Sequence, residues 1–111
     1  MDQNQTVNDQ DDRRVKIHNK LVDVLGSNKV YFQPPSTTKL EYPCIVYSLS
    51  NLISKYAENK MYVYNRSYEV ILIHQKPYNG IKDKMLTIDK CRFNRVYVSD
   101  NLYHYAYTIY E

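Results

Sequence analysis

Cys91-Arg92-Phe93-Asn94-Arg95-Val96-Tyr97-Val98, then Ser99-Asp100-Asn101, then Leu102-Tyr103-His104-Tyr105-Ala106-Tyr107-Thr108-Ile109-Tyr110: two β-prone runs flank three turn formers. Aromatic and β-branched side chains fit a pleated surface, and a short Ser-Asp-Asn connection suits antiparallel partners. The stretch therefore predicts a closing hairpin. In its second strand Tyr103, Tyr105, Tyr107 and Ile109 share one face, and Leu102, His104, Ala106 and Thr108 share the other.

A second strong strand lies upstream. Tyr68-Glu69-Val70-Ile71-Leu72-Ile73-His74 is the core of a run from Met61 to about Gln75, and Pro77-Tyr78-Asn79-Gly80 ends it with a turn. Ile81–Leu86 fits a short helix that turns Ile81, Lys84, Met85 and Ile88 toward a sheet. Further back, Tyr42-Pro43 opens the strand Cys44–Ser50, whose two faces both carry buriable residues near its start. Lys29–Gln33 is a short strand closed by Pro34-Pro35, which withhold backbone donors. Asp11 or Asp12 caps a helix that runs to Leu25, where Gly26 supplies the stop. Ile17, Leu21, Val24 and Leu25 form its apolar face, widened by Val15 and Val22. Asn51–Lys60 fits either a hairpin arm or a helical turn. The order is helix, three strands, short helix, two strands. It predicts an α+β fold: an antiparallel or mixed sheet of about five strands, with the N-terminal helix and one short helix packed on one face.

With 111 residues the chain suits one domain with one modest core, so its stability can lean on partners. Hydrophobic residues make up 43% and charged residues 24%, the balance of a folded chain rather than a disordered one. No apolar run exceeds four residues, as in Val70–Ile73, against the ~20 needed to span a bilayer. The leader MDQNQTVNDQDD lacks the basic and apolar regions of a signal peptide. Charge is segregated: residues 1–12 hold four aspartates (Asp2, Asp9, Asp11, Asp12) and no base, while the rest holds fifteen bases and eight acids. Residues 1–12 are expected to be a disordered or partner-ordered leader, and residues 13–111 a single domain.

Chemistry-bearing patterns are missing from the sequence. With only two glycines, neither a phosphate loop nor a dinucleotide fingerprint can be built, and no HExxH or GxSxG occurs. Glu69 and His74 stand five apart on a strand, on opposite faces. Cys44 and Cys91 lack CxxC spacing, and each sits in an apolar run where a thiol behaves as a small hydrophobe. His18, His74 and His104 are scattered, so no metal site or cofactor is expected. The sequence reads as non-enzymatic. Nucleic-acid binding stays open, since Lys90, Arg92 and Arg95 lie among Phe93, Tyr97 and the Tyr103/Tyr105/Tyr107 row, but the glycine-interrupted strand of RNA-recognition domains is missing.

Four strings carry a resemblance: Val30-Tyr31-Phe32-Gln33-Pro34-Pro35, Tyr42-Pro43-Cys44-Ile45-Val46-Tyr47, Cys91-Arg92-Phe93-Asn94-Arg95 and Asp100-Asn101-Leu102-Tyr103-His104-Tyr105. In this order, across roughly residues 15–111, they resemble the tail terminator, tail completion or neck proteins of tailed bacteriophages. The resemblance implies a virion structural protein at the tail–neck junction, assembled in the host cytoplasm. It also implies a ring, often a hexamer, that caps the tail tube, joins a neck or connector protein and encircles DNA without sequence readout. A head-side adaptor ring is the neighbouring alternative, and a small nucleic-acid-binding protein the third. For subunit contacts the sequence offers Leu52, Ile53 and Tyr56 in the Asn51–Lys60 arm, then the Tyr103/Tyr105/Tyr107 face, both expected to be exposed. No membrane partner is expected.

Overall fold

The computed structural model describes the backbone of residues 9–57 and 60–111 and the side chains of residues 12–50 and 66–111. Helix α1 (Asp9–Leu25) is followed by strands β1 (Val30–Phe32), β2 (Cys44–Ala57) and β3 (Lys60–His74). Helix α2 (Ile81–Lys84) runs into a 3₁₀ turn (Met85–Thr87), and β4 (Cys91–Ser99) and β5 (Leu102–Tyr110) complete one sheet. Its strand order is β1-β2-β3-β5-β4, with β1 parallel to β2 and every other neighbour antiparallel. The fold is α+β with a mixed five-stranded sheet.

Helix α1 starts at Asp9, ahead of the expected Asp11 or Asp12. Aspartates in a first turn are favoured by the positive end of the helix dipole. The helix stops at Gly26, whose φ of 81° places it in the left-handed region that glycine enters without a Cβ penalty. Ile17, Leu21 and Leu25 are buried against the sheet, and Val22 and Val24 border the core. Val15 is exposed and does not widen the apolar face.

Register decides which sheet face the helices cover. Ile45 pairs with Leu72 and Leu72 with Tyr105, while Tyr47 pairs with Val70 and Val70 with Tyr107. All six are buried in the cluster that also holds Leu21, Met85 and Ile88. The expected exposed Tyr103/Tyr105/Tyr107 face is thus corrected. Tyr105 and Tyr107 are 5% and 1% exposed, and Tyr103 sits half-buried at the margin of the core. The connection after β3 makes this burial possible by accepting their hydroxyls: Tyr105 Oη donates to the Pro77 carbonyl at 2.6 Å and Tyr107 Oη to the Lys82 carbonyl at 2.7 Å.

The closing hairpin is tighter than its sequence reading. Ser99 pairs with Leu102, leaving a two-residue turn at Asp100 (φ 54°) and Asn101 (φ 64°). Two successive left-handed residues make the primed turn that matches strand twist, and Asp and Asn tolerate it. β4 also carries a bulge: Phe93 opposes Tyr107 and Arg95 opposes Ala106, so Asn94 is the extra residue. Asn94 Nδ2 donates to Thr108 Oγ1 at 2.8 Å. The added residue keeps Phe93, Val96 and Val98 on the helix face and Arg92 and Arg95 on the other.

Candidate interaction surface

Two surfaces of the sheet are left uncovered by the described residues, and a buried polar cluster ties one of them to the body. The first is an arm. β2 and β3 stay paired from Cys44↔Ile73 out to Ala57↔Lys60, with register shifts between Leu49 and Asn51 and between Ile53 and Ser54. β1 borders β2 only at Ile45–Tyr47, and β5 borders β3 only up to Ser67↔Tyr110. The six pairs beyond, from Leu52↔Arg66 to Ala57↔Lys60, form a two-stranded ribbon roughly 20 Å long with no third strand among the described residues. Of the two expectations for Asn51–Lys60, the hairpin arm is the one observed. Leu52, Ile53 and Tyr56 lie on it, opposite Arg66, Asn65 and Met61. Their side chains, and residues 58–59 altogether, lie outside the described residues.

The second surface is the helix face of the edge strand β4. Leu86, Phe93, Val96 and Val98 are exposed there, beyond the cover of α1. Phe93 stands edge-on to Tyr107 at 5.5 Å between centroids. Lys82, Asp83, Leu86, Phe93, Tyr105 and Tyr107 line an open pocket of about 190 Å³. This stripe escaped the sequence reading. Its signal, Phe93 then Val96 and Val98, is broken in period by the Asn94 bulge, and a strand's place at a sheet edge is not written in its own residues. On the opposite face Arg92 lies over Tyr110, and Arg95 over Tyr97, which itself stacks on His104 at 4.9 Å.

At the arm's base, where α1 meets the chain end, lies a buried polar cluster. The Tyr47 hydroxyl accepts from Arg14 Nη1 at 3.1 Å and shares a hydrogen bond with His18 Nδ1 at 2.8 Å. Burial and the Arg14 charge lower the His18 pKa, which suits a neutral, accepting imidazole. Burial raises the Tyr47 pKa, with Arg14 opposing. Beside it Tyr68 Oη donates to Glu111 Oε2 at 2.7 Å, and burial followed by the Glu111 carboxylate pushes the phenol up. Glu111 is flanked by Arg13 at 3.6 Å and by the buried Arg66 at 3.8 Å. Its backbone N–H donates to the Arg66 carbonyl at 3.0 Å. The first residue of the arm's return strand to enter the body is thereby tied to both α1 and the end of β5.

Among the described residues the cysteines and histidines lie apart from one another. Cys44 and Cys91 are free thiols, each raised by burial to about 11, so neither is a thiolate at neutral pH. His74 is lowered by burial and by Lys76. Among the described residues no three His, Cys, Asp or Glu side chains gather as metal ligands, and no helix is long and apolar enough to cross a membrane. Compared with protein-family models, curated proteins and solved structures, the chain gives no match.

Proposed function

We propose that the chain is a structural subunit of a tailed-bacteriophage virion, a tail terminator or tail completion protein. It assembles as a ring, of six copies by the resemblance, that caps the tail tube and meets the neck around the passing DNA. One observation carries the reading. A projecting ribbon leaves the sheet at β2–β3, while an uncovered apolar stripe lies across the sheet on β4. An isolated two-stranded ribbon is marginal in water, and an exposed apolar stripe marks an interface. Because arm and stripe are different surfaces of one chain, their contact is heterologous, the kind that closes rings. The β4 edge itself is blunted by its bulge and by Arg92 and Arg95, which favours docking on its face over strand addition. The four strings quoted above supply the phage context.

Leu52→Asp with Tyr56→Asp should leave the monomer folded by circular dichroism and abolish ring assembly in sedimentation. Normal assembly of that double variant would remove the arm from the interface. A stop codon in the gene should yield over-long or headless tubes beside full heads in electron micrographs of the lysate. Capped tails of normal length beside leaking heads would instead assign the chain to the head-side adaptor ring.

A further inference from the structure

A groove runs between α1 and the turn that leads into β4. Arg13, Lys16 and Lys20 of α1 form one wall and Lys90 stands opposite, over a floor of Ile17, Ile88 and Ile109; the volume is about 180 Å³. It adjoins a second hollow of about 250 Å³ that shares Lys20, Ile88 and Asp89. Glu111, also in the wall, is already flanked by Arg13 and Arg66. Among the described residues no carboxylate lies within ion-pair distance of Lys16, Lys20 or Lys90. Asp89 and Glu111 also line the groove and Asp23 the adjoining hollow, so the rim is net basic, four bases against two acids, over an apolar floor. A polyanion alone would use the rim and leave the isoleucines idle, whereas an acidic segment with an apolar residue uses both.

The chain contains such a segment. Residues 1–12 carry four aspartates and no base, with Val7 among them. Asp9, Asp11 and Asp12 belong to the first turn of the helix that carries Arg13, Lys16 and Lys20. One helical turn brings Asp9 to Arg13 and Asp12 to Lys16, while Lys20 lies about 12 Å beyond Asp12, so the far end of the rim is left to acids from another chain.

We infer that the groove binds the acidic segment 1–12 of a second copy, with Val7 over the isoleucine floor and the aspartates against Lys16, Lys20 and Lys90. The contact joins two different surfaces, so it propagates head to tail around a ring. It rests on the reading of the chain as a subunit that contacts its own copies. It also gives the charge segregation a purpose, since each subunit offers an acidic tag and a basic receptor.

The test uses a fluorescent peptide of residues 1–12 titrated into the full-length chain, with sedimentation run in parallel. At low salt the peptide should bind saturably and weaken steeply as salt rises. Lys16→Glu with Lys20→Glu should weaken it by at least about tenfold. A peptide carrying Asp2→Lys, Asp9→Lys, Asp11→Lys and Asp12→Lys should recover binding to that double variant, which a misfolded groove could not do. Equal binding of a peptide with all four aspartates changed to Asn would overturn the inference. So would duplex DNA occupying the chain while the peptide does not. A chain that stays monomeric while the peptide binds would sink the ring and leave the groove's ligand in place. Rings that form equally well when the chain's own four aspartates are Asn would sink the groove and leave the ring.

Discussion

The two hairpins of this sheet differ in what borders them. β4–β5 turns in two residues, and β5 lies against β3 along Ser67–His74, so Tyr105 and Tyr107 are sealed between sheet and helices. β2–β3 is enclosed by other described strands near its base; past Ser67 the ribbon runs on with no third strand among the described residues. Side-chain alternation therefore means burial in one hairpin and, in the outer half of the other, only the two sides of a ribbon. The same pattern of β-prone residues builds a core where neighbours exist and a projection where they do not.

The sharpest way to break this comparison is Tyr107→Ala. It removes a ring that is 1% exposed, together with its bond to the Lys82 carbonyl, and should cost about 3–5 kcal/mol. That is a large part of a small domain's stability, so urea melts should show a mostly unfolded chain. Tyr68→Phe comes next: losing the hydroxyl bound to Glu111 should cost about 2 kcal/mol, read as a lower urea midpoint with unchanged slope.

The pH profile sharpens the comparison further, because the raised groups lie in the enclosed part. Cys44 and Cys91 are pushed up to about 11 in the fold, and Tyr47, Tyr68 and Tyr107 are also raised. Folded pKa values above the unfolded ones give stability that is complete below the unfolded thiol pKa near ~9 and lost as pH rises through ~11. His18 and His74 are lowered, so their contribution is complete above ~6.5 and lost as pH falls through their folded values. Thermal melts should show a plateau from about pH 7 to 9 with shoulders on both sides. Cys44→Ala with Cys91→Ala should soften the alkaline shoulder. The smallest effect is expected at the uncovered edge, where Val98→Lys should change the unfolding free energy from urea melts by no more than about 0.5 kcal/mol.

The elements that local residues dictate were legible in the sequence. Gly26 ended α1, the Tyr68–His74 run gave the core of β3, and Asp100-Asn101 gave the closing turn. What local residues do not dictate was misread or missed. A tyrosine row reads the same whether it faces water or a helix. Tyr105 and Tyr107 became core because the β3–β4 connection offers them the Pro77 and Lys82 carbonyls, a long-range placement. The bulge at Asn94 hid the Phe93/Val96/Val98 stripe from a strict period of two. The cationic groove joins residues 13–20 to residues 88–90, a meeting that only the folded chain reveals.

The strand order has a kinetic side. Each hairpin closes over a short loop, but the two halves of the sheet meet only along the β3–β5 seam, from His74↔Tyr103 to Ser67↔Tyr110. Closing that seam gathers the whole span from Gln75 to Leu102 before any of its ladder bonds form, and long-range closure of this kind slows folding. The hairpins are thus expected to form early and the seam to be the rate-limiting joint. In refolding experiments Val70→Ala should slow the approach to the native state more than a truncation at Val98, because Val70 sits on the joint that unites the two halves.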